Sequence, residues 1–167
     1  LGGQVPNVQE RQGEQGFETG GIFRSDDRGE TWTRINSLTD RPFYYSVIAV
    51  DPSDDNNIYS AGVPLYGSFD GGKSFEQVHR GIHVDFHAIW VDPNDSDHVM
   101  AGCDGGLHIS YDRTKTWKQV NNFPIGQFYH ADVDEADPYN VYGGLQDNGT
   151  WGGPHTTRWR AGAILHD

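Results

Sequence analysis

Ser25-Asp26-Asp27-Arg28-Gly29-Glu30-Thr31-Trp32 returns as Ser68-Phe69-Asp70-Gly71-Gly72-Lys73-Ser74-Phe75, and both read S-x-D-x-G-x-[ST]-[WF]. A third copy, Ser110-Tyr111-Asp112-Arg113-Thr114-Lys115-Thr116-Trp117, has Thr114 where the others have glycine. The three serines are 43 and then 42 residues apart. A second motif keeps the same phase. Val50-Asp51-Pro52 matches Val91-Asp92-Pro93, and Val133-Asp134 followed by Asp137-Pro138 is a lengthened version. Each is followed by a short apolar stretch ending in small residues, such as Ile58-Tyr59-Ser60-Ala61-Gly62.

A repeat of about 40–45 residues holding four short strands is the signature of a β-propeller blade. The expected fold is therefore all-β: about three to four blades of four antiparallel strands, forming an incomplete ring. Turn chemistry places the strands. First strands are expected at 47–50, 88–91 and 131–133, and second strands at 58–61, 99–101 and 141–143. Third strands are expected at 21–24, 65–67 and 107–109, and fourth strands at 31–35, 74–78 and 116–120. A further repeat begins at Leu145 without a box. Residues 1–20 read as a polar lead-in, and 21–167 as consecutive blades of a larger propeller.

The box has a mechanical reading on the hairpin between strands three and four. The side chains of Ser25, Asp27, Ser68, Asp70, Ser110 and Asp112 hydrogen-bond the turn backbone. Gly29 and Gly72 supply a positive φ. Trp32, Phe75 and Trp117 are expected to pack between neighbouring sheets. Thr114 takes a positive φ only at a cost, so the third turn is expected to be altered.

Composition agrees with strands. Glycine occurs 22 times, aromatics make up 13% and the formal net charge is −12. A surface this acidic repels phosphate backbones, which argues against nucleic acid as a partner. No apolar run is long enough to span a bilayer. The single cysteine, Cys103, cannot form an internal disulfide and reads as a small hydrophobe. No cofactor is indicated. His83, Asp85 and His87 alternate as zinc ligands would on a strand, but solvated loop side chains are the preferred reading and no metal is expected.

The pattern resembles the BNR, or Asp-box, repeat of sialidases, the sortilin family of sorting receptors, the xyloglucanase family of glycoside hydrolases and secreted bacterial sortilin-like proteins. The stretch from Phe128 through Trp151 is most similar to the last group, whose chains are usually much longer. The resemblance implies a piece of a larger, extracellular or periplasmic propeller. Self-association, or further blades, is expected to cover the open blade faces.

Function is expected on the rim opposite the boxes, where the irregular loops gather. Aromatics there stand beside carboxylates, amides and histidines, a mixture that suits sugar rings or peptides. The candidate ligand-binding residues are Tyr44, Tyr45, Tyr66, Asp85, His87, Tyr129, His130, Gln146, Asn148 and Trp151. A glycosidase needs two carboxyl groups flanking the scissile bond. Asp104 and Asp147 occupy similar loops in adjacent repeats and are the candidate catalytic pair. Three functions compete: a scaffold binding a glycan or a protein/peptide ligand, a fragment of a xyloglucanase-like glycoside hydrolase, and a structural assembly module. A sialidase is disfavoured, because its arginine cluster and nucleophilic tyrosine have no counterpart.

Overall fold

The computed structural model describes residues 20–41, 44–45, 47–123, 125–146 and 148–156, and the backbone of 164–166. No helix occurs among them. They fall into two compact units that divide between Asn121 and Asn122.

The first unit holds three antiparallel sheets. β1 (Ile22–Arg24) and β2 (Thr33–Asn36) form a two-stranded sheet. β3 (Ile48–Val50), β4 (Ile58–Ala61), β5 (Leu65–Ser68) and β6 (Glu76–Gln77) form a four-stranded blade in chain order. β7 (Phe86–Asp92), β8 (Asp95–Cys103), β9 (Gly106–Ser110) and β10 (Lys118–Val120) form the next blade. In the second unit, β11 (Phe128–Val133), β12 (Asn140–Leu145), β13 (Thr150–Pro154) and β14 (Ile164–His166) form another four-stranded sheet. The expected all-β fold of four-stranded antiparallel blades is thus observed. Of the lead-in, all but Gly20 lies outside the described residues.

Period-two alternation builds the core of the first unit. Ile58 of β4 and Tyr66 of β5 face the β1–β2 sheet and join Leu38 and Phe75. Tyr59, Ala61 and Leu65 point the other way, onto Phe86, Val91, Val99 and Ala101 of the next blade. The blade from β3 to β6 is therefore sandwiched, which is why β5 is buried throughout. Burying each large apolar side chain contributes roughly 1.5–3 kcal/mol.

The box turns work as expected. Ser25 Oγ donates to Asp27 at 2.7 Å and accepts from Gly29 N at 2.7 Å. Asp27 in turn accepts from Thr31 N at 2.9 Å and Thr31 Oγ1 at 2.5 Å. Ser68, Asp70, Gly72 and Ser74 repeat the pattern. These bonds consume Thr31 and Ser74, so β2 and β6 start two residues later than turn chemistry suggests.

The structure corrects two expectations about the boxes. Thr114 does not alter the third turn. It takes φ 65° and donates its amide to Ser110 Oγ at 2.8 Å, as the glycines do. Its hydroxyl donates to the Arg113 carbonyl at 2.7 Å, and that bond helps offset the strain. Trp32 does not pack between sheets. It is 62% exposed and bonds only its own turn, through Gly29 O at 3.1 Å, because no sheet precedes β1 among the described residues. Phe75 and Trp117 do pack between sheets.

Candidate functional site

The antiparallel meander sends the box turns and the Asp-Pro turns to one end of each blade. The β4–β5 and β8–β9 turns and the blade-to-blade loops go to the other. In the first unit, hydrogen bonds from backbone amides lace this second end together. Val63 N donates to Asp40 Oδ2 at 2.7 Å, Asp85 N to Val63 O at 2.9 Å, and Asp104 N to Asp85 O at 3.2 Å. Gly62 makes the first of these possible, since a Cβ there would lie 2.1 Å from Asp40 Oδ2.

The lacing gathers five of the expected binding and catalytic residues. Tyr45, almost fully buried, donates its hydroxyl to Asp85. Burial, reinforced by the Asp85 carboxylate, pushes the Tyr45 phenol far above its ordinary pKa, so it stays a donor. Asp85 itself sits in the left-handed region at φ 65°. His87 Nε2 lies 3.2 Å from Asp104 Oδ1. The His87 ring meets Tyr44 edge-on at 5.6 Å and Tyr45 at 5.2 Å. The Arg41 guanidinium stands 5.6 and 5.5 Å from the centres of the Tyr44 and Tyr45 rings. Such contacts contribute about 0.5–1 kcal/mol each where exposed. Arg41 was not among the expected binding residues. Its place between Asp40 and the tyrosine pair was the available signal.

The other expected site residues lie elsewhere. Tyr66 is 4% exposed and belongs to the core beside Leu38, Ile58 and Phe75, so it is not a rim residue. Both faces of β5 are covered, and a strand covered on both faces shows no exposed alternation to read. Tyr129, His130, Gln146, Asn148 and Trp151 belong to the second unit. Tyr129 and His130 are exposed on β11. Trp151 Nε1 donates to Asn148 O at 3.2 Å, and Asn148 Nδ2 to Gln146 O at 2.6 Å. Asp147 lies outside the described residues.

His83, Asp85 and His87 are held by different partners: the Val84 carbonyl, Tyr45 and Asp104 respectively. No group of three or more histidine, cysteine or acidic side chains suited to a metal occurs among the described residues. Cys103 donates weakly to Gly106 O at 3.6 Å, and burial raises its thiol pKa. Among the described residues, no helix is long and apolar enough to cross a membrane.

At the opposite end, the Asp-Pro turns carry a device absent from the sequence reading. Asp51 and Asn57 are both buried, and Asn57 Nδ2 donates to Asp51 Oδ2 at 3.0 Å. His98 Nδ1 meets Asp92 at 3.2 Å, and Asn140 Nδ2 meets Asp134 at 2.6 Å, at the same six-residue spacing. Burial alone would raise the Asp51 pKa, but hydrogen bonds from Ser96, Asn57 and Ser53 outweigh it and hold the carboxyl well below the usual range.

Repeated four-stranded sheets, each box locked by its own serine and aspartate, define an Asp-box β-propeller segment. The profile of the Sortilin-Vps10 family, described as "Sortilin, neurotensin receptor 3", matches residues 20–143. The chain belongs to that family. It is also 32% identical over 110 residues to a xyloglucanase of Hypocrea jecorina, covering 58% of this chain and 12% of the relative. A probable oligoxyloglucan-reducing end-specific xyloglucanase of Neosartorya fischeri is 27% identical over 111 residues, covering 58% of this chain and 14% of that protein. Among solved structures, the GH74 xyloglucanase of Xanthomonas campestris aligns with TM-score 0.51 and 18% identity, over 81% of this chain and 26% of its own. The Niastella koreensis GH74 enzyme aligns with TM-score 0.50 and 16% identity, over 80% and 24%. These structures share the fold. The chain spans about an eighth of the length of the curated relatives it matches.

Proposed function

We propose that this chain is the ligand-binding segment of a larger propeller acting outside the cytoplasm, and that it takes a glycan or a peptide on the rim built by Arg41, Tyr44, Tyr45, Asp85, His87 and Asp104. One observation carries the reading: Tyr44 stands 60% exposed above neighbours fixed by the Tyr45–Asp85 and His87–Asp104 contacts. A rigid aromatic face ringed by charged hydrogen-bonding groups suits a sugar ring or a peptide side chain. The names of the curated relatives favour a β-glucan of the xyloglucan type. Calorimetric titration with xyloglucan oligosaccharides is expected to show saturable binding that Tyr44→Ala weakens about ten-fold without lowering the melting temperature. Undiminished binding in that variant would remove the rim from the reading.

A second reading, a fragment of a glycoside hydrolase, is favoured by the identity to the Hypocrea xyloglucanase. It requires two carboxyl groups flanking the scissile bond, for which Asp104 and Asp147 are the candidates. Release of reducing ends from xyloglucan, abolished in both Asp104→Asn and Asp147→Asn with ligand binding retained, would support it. Hydrolysis surviving in either variant would exclude that pair.

A further inference from the structure

A cleft of about 780 Å³ opens between the two complete blades of the first unit, on the rim that carries the box turns. Its size falls within the roughly 300–1,000 Å³ typical of ligand sites. One wall is the β6 strand with the Asp-Pro turn of its blade. The other is the box turn of the next blade, with Arg113, Thr114 and Lys115.

The cleft is open for a local reason. At the preceding junction, Arg24 on β1 straps the sheets together, reaching Asp55 at 2.5 Å and Asp26 at 2.7 Å. The residue at that position on β5 is Gly67, and the counterpart of Asp26 is Phe69. A Cβ on Gly67 would lie 3.0 Å from Val78 and 3.3 Å from Phe69, so the Phe69 ring sits over the bare glycine. The counterpart of Asp55 is Ser96, which carries no charge and bonds Ser53 of the preceding blade at 2.9 Å. The strap position therefore holds arginine at one junction and a bare glycine at the next, where the exposed Phe69 ring covers it.

The lining is unusual for this chain. Asp54, Glu76 and Asp97 stand with Arg80, Arg113 and Lys115, a balanced set in a protein of net charge −12. Phe69 is partly exposed and braced edge-on by Tyr59 at 6.2 Å. The side-chain amides of Asn56 and Gln77 complete the wall beside it. A polyanion would be brought against three carboxylates and a polycation against three bases, and each juxtaposition is unfavourable. A wholly apolar ligand would strand the charged groups without water. A ligand with one apolar face and a rim of uncharged hydroxyls meets neither penalty.

We propose that this cleft is a second binding site, separate from the loop rim, and that it takes a neutral oligosaccharide stacked on Phe69. The inference does not depend on the rim reading, because Phe69, Asn56 and Arg113 lie toward the box-turn end of the blades and no residue of the aromatic rim lines the cleft. The test is a titration of the ¹⁵N-labelled full chain with cellotetraose and a xyloglucan heptasaccharide, with tetragalacturonate and a chitosan tetramer as charged controls. The expected result is saturable shifts of the Asn56 and Gln77 side-chain amides with a neutral sugar, and binding about ten-fold weaker in Phe69→Ala. Gln77→Ala removes only an exposed side chain, so it stays folded and is expected to weaken binding too. Tyr44→Ala is expected to leave the cleft shifts unchanged. The proposal is overturned if neither neutral sugar shifts these amides, if the charged sugars bind as well, or if Phe69→Ala and Gln77→Ala both bind as the parent does.

Discussion

Trp117 Nε1 donates a 2.7 Å hydrogen bond to the carbonyl oxygen of Val78, so the box tryptophan of one blade is tied to the outer strand of the blade before it. The ring also packs against the apolar layer between the two blades. Box and core are thus one device: the turn aims the indole, and the indole joins the sheets. Trp117→Phe should keep most of the packing and lose the bond, at about 1 kcal/mol. Trp117→Ala should cost about 3 kcal/mol by adding a cavity. Urea denaturation of both variants separates the two contributions, and equal losses would contradict the role given to the bond.

Gly72 tests the backbone side of the same turn. It sits at φ +86°, and a Cβ there would stand 2.4 Å from Ile35 Cδ1 of the neighbouring sheet. Gly72→Ala is expected to cost about 2 kcal/mol, from left-handed strain and a shifted Ile35. Gly81 also has positive φ, but a Cβ would meet nothing within 4 Å. Gly81→Ala should therefore cost less, through strain alone. Thermal melts that rank the two in the opposite order would contradict this reading.

The box aspartates set the response to acid. Hydrogen bonds from Thr31 lower the Asp27 pKa to about 2, and those from Ser74 do the same for Asp70. Asp112 is lowered by Thr116 in the same way. The folded values lie below the ordinary carboxylate value of about 3.9. Their stabilisation is therefore fully present above about pH 4 and is lost as pH falls toward about 2. Melting temperatures recorded down the pH scale should drop across that window. The Asp27→Asn/Asp70→Asn variant should start less stable at neutral pH and drop less.

Asn57 should matter more than its place in an acidic turn suggests. It is buried against Asp51, so Asn57→Ala leaves a buried carboxylate short of a donor and should cost about 2–3 kcal/mol. Asn57→His, which copies the Asp92–His98 arrangement of the next blade, should lose less. Chemical denaturation of the pair checks the order.

Much of the fold was legible because the box is local. Ser, Asp, Gly and Thr within seven residues bond one another, so their spacing states the turn directly. Thr114 escaped this reasoning because the serine and aspartate bonds hold the turn even against an unfavourable φ. Trp32 escaped it because packing needs a neighbouring sheet, which a local motif does not provide. The loop-side position of Tyr66 in the sequence points to the rim, whereas sandwiching between two sheets decides its burial. The rim cluster was half legible: loop positions named Tyr44, Tyr45, Asp85, His87 and Asp104, but only folding brings Arg41 over the two rings. The buried Asp51–Asn57 pair and the half-buried Asp92–His98 pair were visible as a six-residue spacing repeated in phase, yet an acidic turn reads as solvated unless that repeat is noticed.

Side-by-side stacking of the first two complete blades underlies both proposed binding surfaces, and one cross-link tests it. Ser53 Oγ and Ser96 Oγ, on the Asp-Pro turns of successive blades, lie 2.9 Å apart and are exposed. In a Cys103→Ser background, Ser53→Cys/Ser96→Cys should form an intramolecular disulfide on mild oxidation, read as a mass loss of two hydrogens with no free thiol. Two thiols that remain free in the folded monomer would contradict the stacking, and with it both the aromatic rim and the cleft.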